Sequence, residues 1–293
     1  SVKLDEVAFN AALDAYARTW QTERALELLE ELRRSGLQLD IVSYNTAINA
    51  CKLGSTWTRA LELQEDMRHG SLGVDVVTYS SMISACEKGQ QWVVAVRLWE
   101  DVHRLGAKLE MITCNAVISA CEKCKQWEHA IGVMSTLSWH SLESDVISFN
   151  SLTSACHKAL QWQWALTSCE ALHHRSVAVD VIGCNAAISA CEASFQWRWA
   201  SALLVAMWRH SLEWDLITCN SAVSACGKGE EWEPALCLLE EARRRGVETD
   251  VVTCSSALGA CRAGGLWGLA LPLLVDLRRG RLEPQGTACS ALL

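Results

Sequence analysis

A short phrase recurs along this chain at one fixed interval. Tyr44-Asn45, Tyr79-Ser80, Cys114-Asn115, Phe149-Asn150, Cys184-Asn185, Cys219-Asn220 and Cys254-Ser255 follow one another at steps of 35 residues. Counting from Glu6 gives eight complete repeats, 6–40 through 251–285, with no insertion or deletion. Residues 1–5 read as the end of a preceding repeat, and 286–293 as the start of a ninth. A strict period of this size predicts a solenoid in which each module buries its apolar face on its neighbours.

Each repeat reads as two helices. Position 10 is Ala in all eight repeats, from Ala15 to Ala260, and so is position 20, from Ala25 to Ala270. Alanine at both places implies close helix approach, where a larger side chain would overpack the contact. The first helix carries small or apolar residues at positions 4, 7, 8 and 11, as in Cys114, Val117, Ile118 and Cys121, a helical stripe. The second carries its stripe at 17, 20, 21, 24 and 27, as in Trp232, Ala235, Leu236, Leu239 and Ala242. Gly54, Gly89, Gly229 and Gly264 fall at position 14, where a helix C-cap is expected. Gly36, Gly106 and Gly246 are placed to end the second helix. Pro234 falls in a first helical turn, where proline is tolerated. Pro272 falls deeper, where a distortion is expected.

Composition narrows the function classes. The net charge of -8, from 26 basic and 34 acidic residues, argues against a chain that grips polyanions by bulk charge alone. Fifteen cysteines are too dilute for a disulfide framework in 293 residues, and a chain of that length buries a core without staples. Cys121 and Cys124 form a lone C-x-x-C with no second ligand pair nearby, so packing thiols are expected rather than zinc. No metal and no cofactor are expected. No apolar run reaches the roughly 18 residues a membrane helix needs, so no membrane partner is expected. No Ser-His-Asp set with its elbow, P-loop or G-x-G-x-x-G is present, and an enzyme is not expected within this stretch.

Two positions are not explained by the core. Position 5 is Asn10, Asn45, Asn115, Asn150, Asn185 and Asn220, with Ser80 and Ser255 as exceptions. Position 35 is Asp40, Asp75, Asp145, Asp180, Asp215 and Asp250, with Glu110 and Gln285 as exceptions. Asn is a mediocre helix former. Simple capping is one account of both rows. The variation is coupled, however: the two serines stand in the same repeats as the two departures from Asp. A paired reading head accounts for that coupling.

Stretches such as Ile41-Val42-Ser43-Tyr44-Asn45 and Val76-Val77-Thr78-Tyr79-Ser80, with Asp or Glu closing the repeat, resemble pentatricopeptide repeats of the plain 35-residue (P-type) class. The resemblance covers essentially the whole chain. The fixed period separates it from the 34-residue tetratricopeptide repeat. It implies an all-α fold, a right-handed α-α superhelix (solenoid) of helix-turn-helix repeats. It also implies that each repeat binds one base of single-stranded RNA. Positions 5 and 35 are the family's reading pair, so the base-reading residues implied are the Asn/Ser and Asp/Glu/Gln sets just given. Position 2 sandwiches the base, a role that falls on Val7, Val42, Val77, Ile112, Ile147, Ile182, Ile217 and Val252. β-Branched side chains are stiff and flat-sided, which suits a clamp. The Asn/Asp pair implies uracil in repeats 1, 2, 4, 5, 6 and 7, and the serine-containing repeats 3 and 8 a purine.

Arg18, Lys88, Lys123, Lys158 and Lys228 fall at position 13. A cation once per repeat suits one phosphate per repeat, and a solvated helix end favouring the dipole is the plainer account. Glu87, Glu122 and Glu192 at position 12 oppose that charge. The reading is therefore a monomeric binder of U-rich single-stranded RNA, with other RNA-processing proteins as further partners. The resemblance places it in a chloroplast or mitochondrion, in RNA processing, stabilisation or translation. The rival is a protein-binding scaffold of the tetratricopeptide type. A third reading puts a catalytic domain outside this stretch.

Overall fold

The structure, a computed structural model, describes residues 2–19, 21–34, 39–54, 56–70, 72–107, 110–139, 145–174, 180–247 and 249–265, with 268, 270 and 273. The chain forms two compact units, Ser1–Ser144 and Asp145–Leu293. The first contains α1 (Val2–Arg18), α2 (Thr22–Arg34), α3 (Ile41–Gly54), α4 (Trp57–His69), α5 (Val76–Lys88), α6 (Trp92–Arg104), α7 (Met111–Lys123) and α8 (Trp127–Trp139). The second contains α9 (Val146–Lys158), α10 (Trp162–His174), α11 (Val181–Ala193), α12 (Trp197–Arg209), α13 (Leu216–Lys228), α14 (Trp232–Arg244) and α15 (Val251–Ala263). Every element among the described residues is a helix, so the fold class is all-α.

Within each unit the odd-numbered helices stack side by side in chain order, and the even-numbered helices pack against them from one side. The periodic apolar positions make this stack. Position 4 is buried as Tyr79, Phe149 or Cys184, and position 8 as Ile83, Ile188 or Leu258. The position-11 cysteines lie in the same layer. Burial pushes the Cys86, Cys121, Cys156 and Cys191 thiols up to about 12, and they stay protonated and inert at neutral pH. No helix among the described residues is long and apolar enough to cross a membrane.

The position-10 alanines from Ala50 to Ala260 and the position-20 alanines are buried without room to spare. Ala15 is the exception and is exposed. Among the described residues no helix pair stands before α1, and position 10 is buried in every later repeat, so position 10 is the face turned toward the preceding repeat.

The position-14 glycines Gly89, Gly229 and Gly264 are helix C-caps, as expected. They do not adopt the left-handed conformation: φ is -77° at Gly89, -80° at Gly229 and -79° at Gly264. The left-handed residue is the next one, Gln90, Lys125, Leu160, Phe195, Glu230 or Gly265. A tryptophan lies close above each of these three glycines. A Cβ on Gly229 would lie 2.6 Å from Trp197 Cδ1, and one on Gly264 2.6 Å from Trp232 Cδ1. Trp57, Trp197 and Trp232, at position 17, thus lie over the position-14 glycine of the following repeat. Gly106 and Gly246 do end their helices with positive φ, as expected of C-terminal glycines. Pro234 sits in the first turn of α14. Gly36 and Pro272 lie outside the described residues.

Ala225→Leu should destabilise the fold by about 1–3 kcal/mol, because the added volume has no room at the helix contact. Ala15→Leu, at the same repeat position but exposed, should cost within about 0.5 kcal/mol. Thermal unfolding of the two variants checks this, and equal losses would contradict the packing assignment.

Candidate nucleic-acid interface

The first turns of the odd-numbered helices carry the candidate site. Their unpaired N–H groups need acceptors, and position 35 supplies them. Carboxylates of Asp40, Asp75, Asp145, Asp180, Asp215 and Asp250 accept from the backbone N–H of Ser43, Thr78, Ser148, Gly183, Thr218 and Thr253 at 2.7–2.9 Å. Capping is therefore a real role of this row. At Asp215 and Asp250 it closes into a full capping box with the threonine hydroxyl.

The same carboxylates also hold position 5 of the preceding repeat. Asn45 Nδ2 lies 3.4 Å from both oxygens of Asp75. Asn150 donates to Asp180 at 2.8 Å, Asn185 to Asp215 at 3.0 Å and Asn220 to Asp250 at 3.1 Å. An ionised carboxylate only accepts, so the amide must turn its N–H toward it. The amide oxygen is then left facing the next repeat.

There it meets a hydroxyl at position 3, a residue that the sequence reading passed over. Ser43 donates to Asn10 Oδ1 at 2.7 Å, Thr78 to Asn45 at 2.5 Å and Thr218 to Asn185 at 2.6 Å, and Thr253 donates to Asn220. These hydroxyls also reach the capping carboxylate, at 2.6–3.0 Å for Thr78, Thr218 and Thr253. Amide, carboxylate and hydroxyl form one closed fork. The signal for it lay in plain view as Ser43, Thr78, Thr113, Ser148, Thr218 and Thr253.

Asn115 stands half-buried on α7 of the first unit, and Asp145 caps α9 of the second. The fork changes in repeat 3. Ser80 donates to the Val76 carbonyl at 2.9 Å and reaches the next odd-numbered helix only through a hydrogen bond shared with the Thr113 hydroxyl at 2.6 Å, with no amide to offer Glu110. Glu110 stands at the N-cap of α7 with no side-chain capping bond. Ser255 turns back in the same way, donating to the Val252 carbonyl at 3.0 Å. Gln285 lies outside the described residues.

Position 2 of the same first turns carries an apolar side chain that is mostly exposed. Val42, Val77, Ile112, Ile147, Ile182, Ile217 and Val252 are 53–72% exposed. The Val7 side chain lies outside the described residues. Single exposed apolar residues are ordinary. A β-branched one at the same place in every described repeat is a built feature.

The position-13 cations stand on the last turns of their helices, about 12 Å along the axis from position 5. Lys88, Lys123, Lys158 and Lys228 are exposed. They are not a bare cationic row. Lys123 pairs with Glu87 at 2.9 Å, which also accepts from Ser119. Lys228 pairs with Glu192 at 3.1 Å, which also accepts from Ser224. Arg18 pairs with Asp14 at 2.8 Å.

Burial alone would raise the Asp40, Asp75, Asp215 and Asp250 carboxyls, but the hydroxyl, amide and backbone donors together outweigh it. All four are held below the ordinary 3.8. A depressed folded pKa adds stability that is present above the ordinary value and lost as pH falls through the folded one. The melting temperature should therefore drop steeply below about pH 4. Asp250→Asn, which keeps a cap but cannot titrate, should flatten that drop. Melting curves recorded from about pH 5 to about pH 2 test it, and identical profiles for the two proteins would exclude Asp250 from the linkage.

The chain was compared with known families and folds. It matches the PPR repeat family over residues 4–52, the pentatricopeptide repeat domain over 97–159, and the PPR repeat over 77–106 and 217–247. Together these take in more than half of the chain. No curated protein sequence matches it. Its fold is similar to that of the pentatricopeptide repeat protein PPR10 from maize, with 22% identity, a TM-score of 0.58, and coverage of 97% of this chain and 45% of that one. It is also similar to the PPR domain of Arabidopsis thaliana protein-only RNase P 1, solved in complex with tRNA, with 10% identity, a TM-score of 0.54, and coverage of 60% and 92%. Nuclear proteinaceous RNase P 2 from A. thaliana gives 12% identity, a TM-score of 0.55, and coverage of 62% and 41%. The chain thus spans less than half the length of the maize protein. With its repeat period, its helix pairs and these family matches agreeing, the chain belongs to the pentatricopeptide repeat family.

Proposed function

We propose that this chain binds single-stranded RNA with one base per repeat and a preference for U-rich sequence, and acts by occupying its site rather than by catalysis. The observation that carries this is the row of exposed Val and Ile at position 2, each next to a fork. A stiff apolar face can clamp a flat base, and the fork beside it can read the base edge. The family resemblance and the tRNA complex of the RNase P 1 repeat domain support an RNA partner. On the family resemblance, the proposal extends to organellar RNA processing, stabilisation or translation.

The chemistry favours uracil. The forks of Asn45, Asn185 and Asn220 have used one amide N–H, one amide lone pair and part of the carboxylate on their own structure. A second amide N–H and further carboxylate lone pairs remain. A donor beside an acceptor matches the N3–H and carbonyl of uracil. Guanine has the same pattern on a larger ring. Cytosine and adenine would set a ring acceptor against the carboxylate. The implied site is U-U-purine-U-U-U-U-purine, with the RNA running 5′ to 3′ along the chain, a direction taken from the family resemblance.

Ile182→Ala and Ile217→Ala each remove an exposed side chain, so their melting temperatures should stay near the parent value. Their affinity for a U-rich octamer should nevertheless fall, by less than the roughly 1–3 kcal/mol that an aromatic stacking platform is worth. Fluorescence anisotropy with U-rich, A-rich and C-rich octamers measures both affinity and preference. Equal, negligible binding to all three would defeat the proposal and favour the peptide-binding scaffold. Five free cations would give a log–log salt slope near 3.5 for single strands. The carboxylate partners of Arg18, Lys123 and Lys228 should make the measured slope shallower.

A further inference from the structure

Among the described forks with Asn at position 5 whose amide oxygen can be followed into the next repeat, one lacks the hydroxyl. Asn150 faces Gly183, where the equivalent forks present Ser43, Thr78, Thr218 or Thr253. Three observations mark the difference. Asn150 Oδ1 is buried with no hydrogen-bond partner. It has settled into the space that a side chain would fill, 2.5 Å from where a Cβ on Gly183 would stand. Its amide donates to Asp180 at 2.8 Å, closer than Asn185 to Asp215 at 3.0 Å or Asn220 to Asp250 at 3.1 Å.

Resting on the base-reading proposal, we infer that the position-3 hydroxyl of the following repeat is a specificity-determining positioning residue, and that Gly183 makes the fifth fork the permissive one. The hydroxyl holds the amide oxygen inward, so the amide shows its N–H to the base. Meeting cytosine, whose exocyclic amine is a donor, requires the amide oxygen to turn outward. At Asn185 that turn breaks the bond to Thr218. At Asn150 there is no such bond to break, and turning outward gives an orphaned acceptor its partner. An unmade buried hydrogen bond is costly, so the fifth fork rejects cytosine less strongly than the sixth. The difference is about fivefold, the worth of one neutral hydrogen bond of roughly 1 kcal/mol.

The test uses the RNA octamer UUGUUUUA and its single U-to-C replacements at nucleotide 5 or nucleotide 6, titrated by anisotropy. The parent protein should discriminate U from C about fivefold less at nucleotide 5 than at nucleotide 6. Gly183→Ser displaces the Asn150 oxygen and offers it a donor, so the gap should close. Gly183→Ala displaces it without a donor, so the gap should remain. Thr218→Gly should open the same gap at nucleotide 6, and Thr218→Ser should not. These are ratios between two RNAs on one protein, so a general loss of stability does not move them. Equal discrimination at both nucleotides in the parent, or no change on Gly183→Ser while nucleotide 6 still discriminates, overturns the inference alone. Loss of discrimination at both nucleotides in every protein overturns the base-reading proposal itself.

Discussion

Two alanines per repeat set the distance between neighbouring helices, and the forks inherit that distance. A fork joins residues 30 apart in sequence, such as Asn185 and Asp215, across the gap between successive odd-numbered helices. Hydrogen bonds weaken over a few tenths of an ångström and steeply with angle. A helix pair pushed apart by one added methylene would therefore lose the fork before it lost the fold. The 2.8–3.4 Å span of the amide–carboxylate contacts records how tightly buried alanines such as Ala190 and Ala225 hold the stack. Core packing and site geometry are one constraint seen at two places.

The carboxylate at position 35 joins local to long-range structure. It caps the helix that follows it and holds the amide of the repeat before it. This gives a physical reason for the coupled change at positions 5 and 35. Ser80 bonds to its own turn and to the Thr113 hydroxyl but has no amide to donate to position 35, and Glu110 there makes no capping bond. The coupling therefore follows from the network and does not by itself require a ligand. The exposed Val and Ile row does point to one, because it contributes nothing to the core and yet no described repeat replaces it with a polar residue.

The stack was legible in the sequence because burial repeats: positions 4, 7, 8, 10, 11 and 20 are small or apolar in nearly every repeat, and from the second repeat on the structure buries them. Position 14 was harder. A glycine in sequence does not say whether it is needed for a left-handed backbone or for room. Cys124, Ala159 and Ser194 at the same position are poor left-handed residues, and all of them, like Gly89, Gly229 and Gly264, cap their helices with negative φ. The position-3 hydroxyls looked like filler in a first turn, since their partners are 33 residues away. The carboxylates paired with Lys123 and Lys228 lie 36 residues back, so their contact follows only from the register of the stack.

Those ion pairs bear on how such a surface binds. Lys123 and Lys228 are partly exposed, at 38% and 43%, and exposed pairs contribute little to stability. Trading a glutamate for a phosphate oxygen is then nearly neutral in energy. The glutamates hold the lysines extended and ordered without raising affinity much. With a net charge of -8 and a carboxylate in each Asn-containing fork, non-specific attraction to a phosphate chain is weak. On the proposed reading, what remains to distinguish one strand from another is the clamp and the fork. A surface arranged this way gives up general grip and keeps discrimination, because the terms that do not depend on sequence have been largely cancelled within the protein itself.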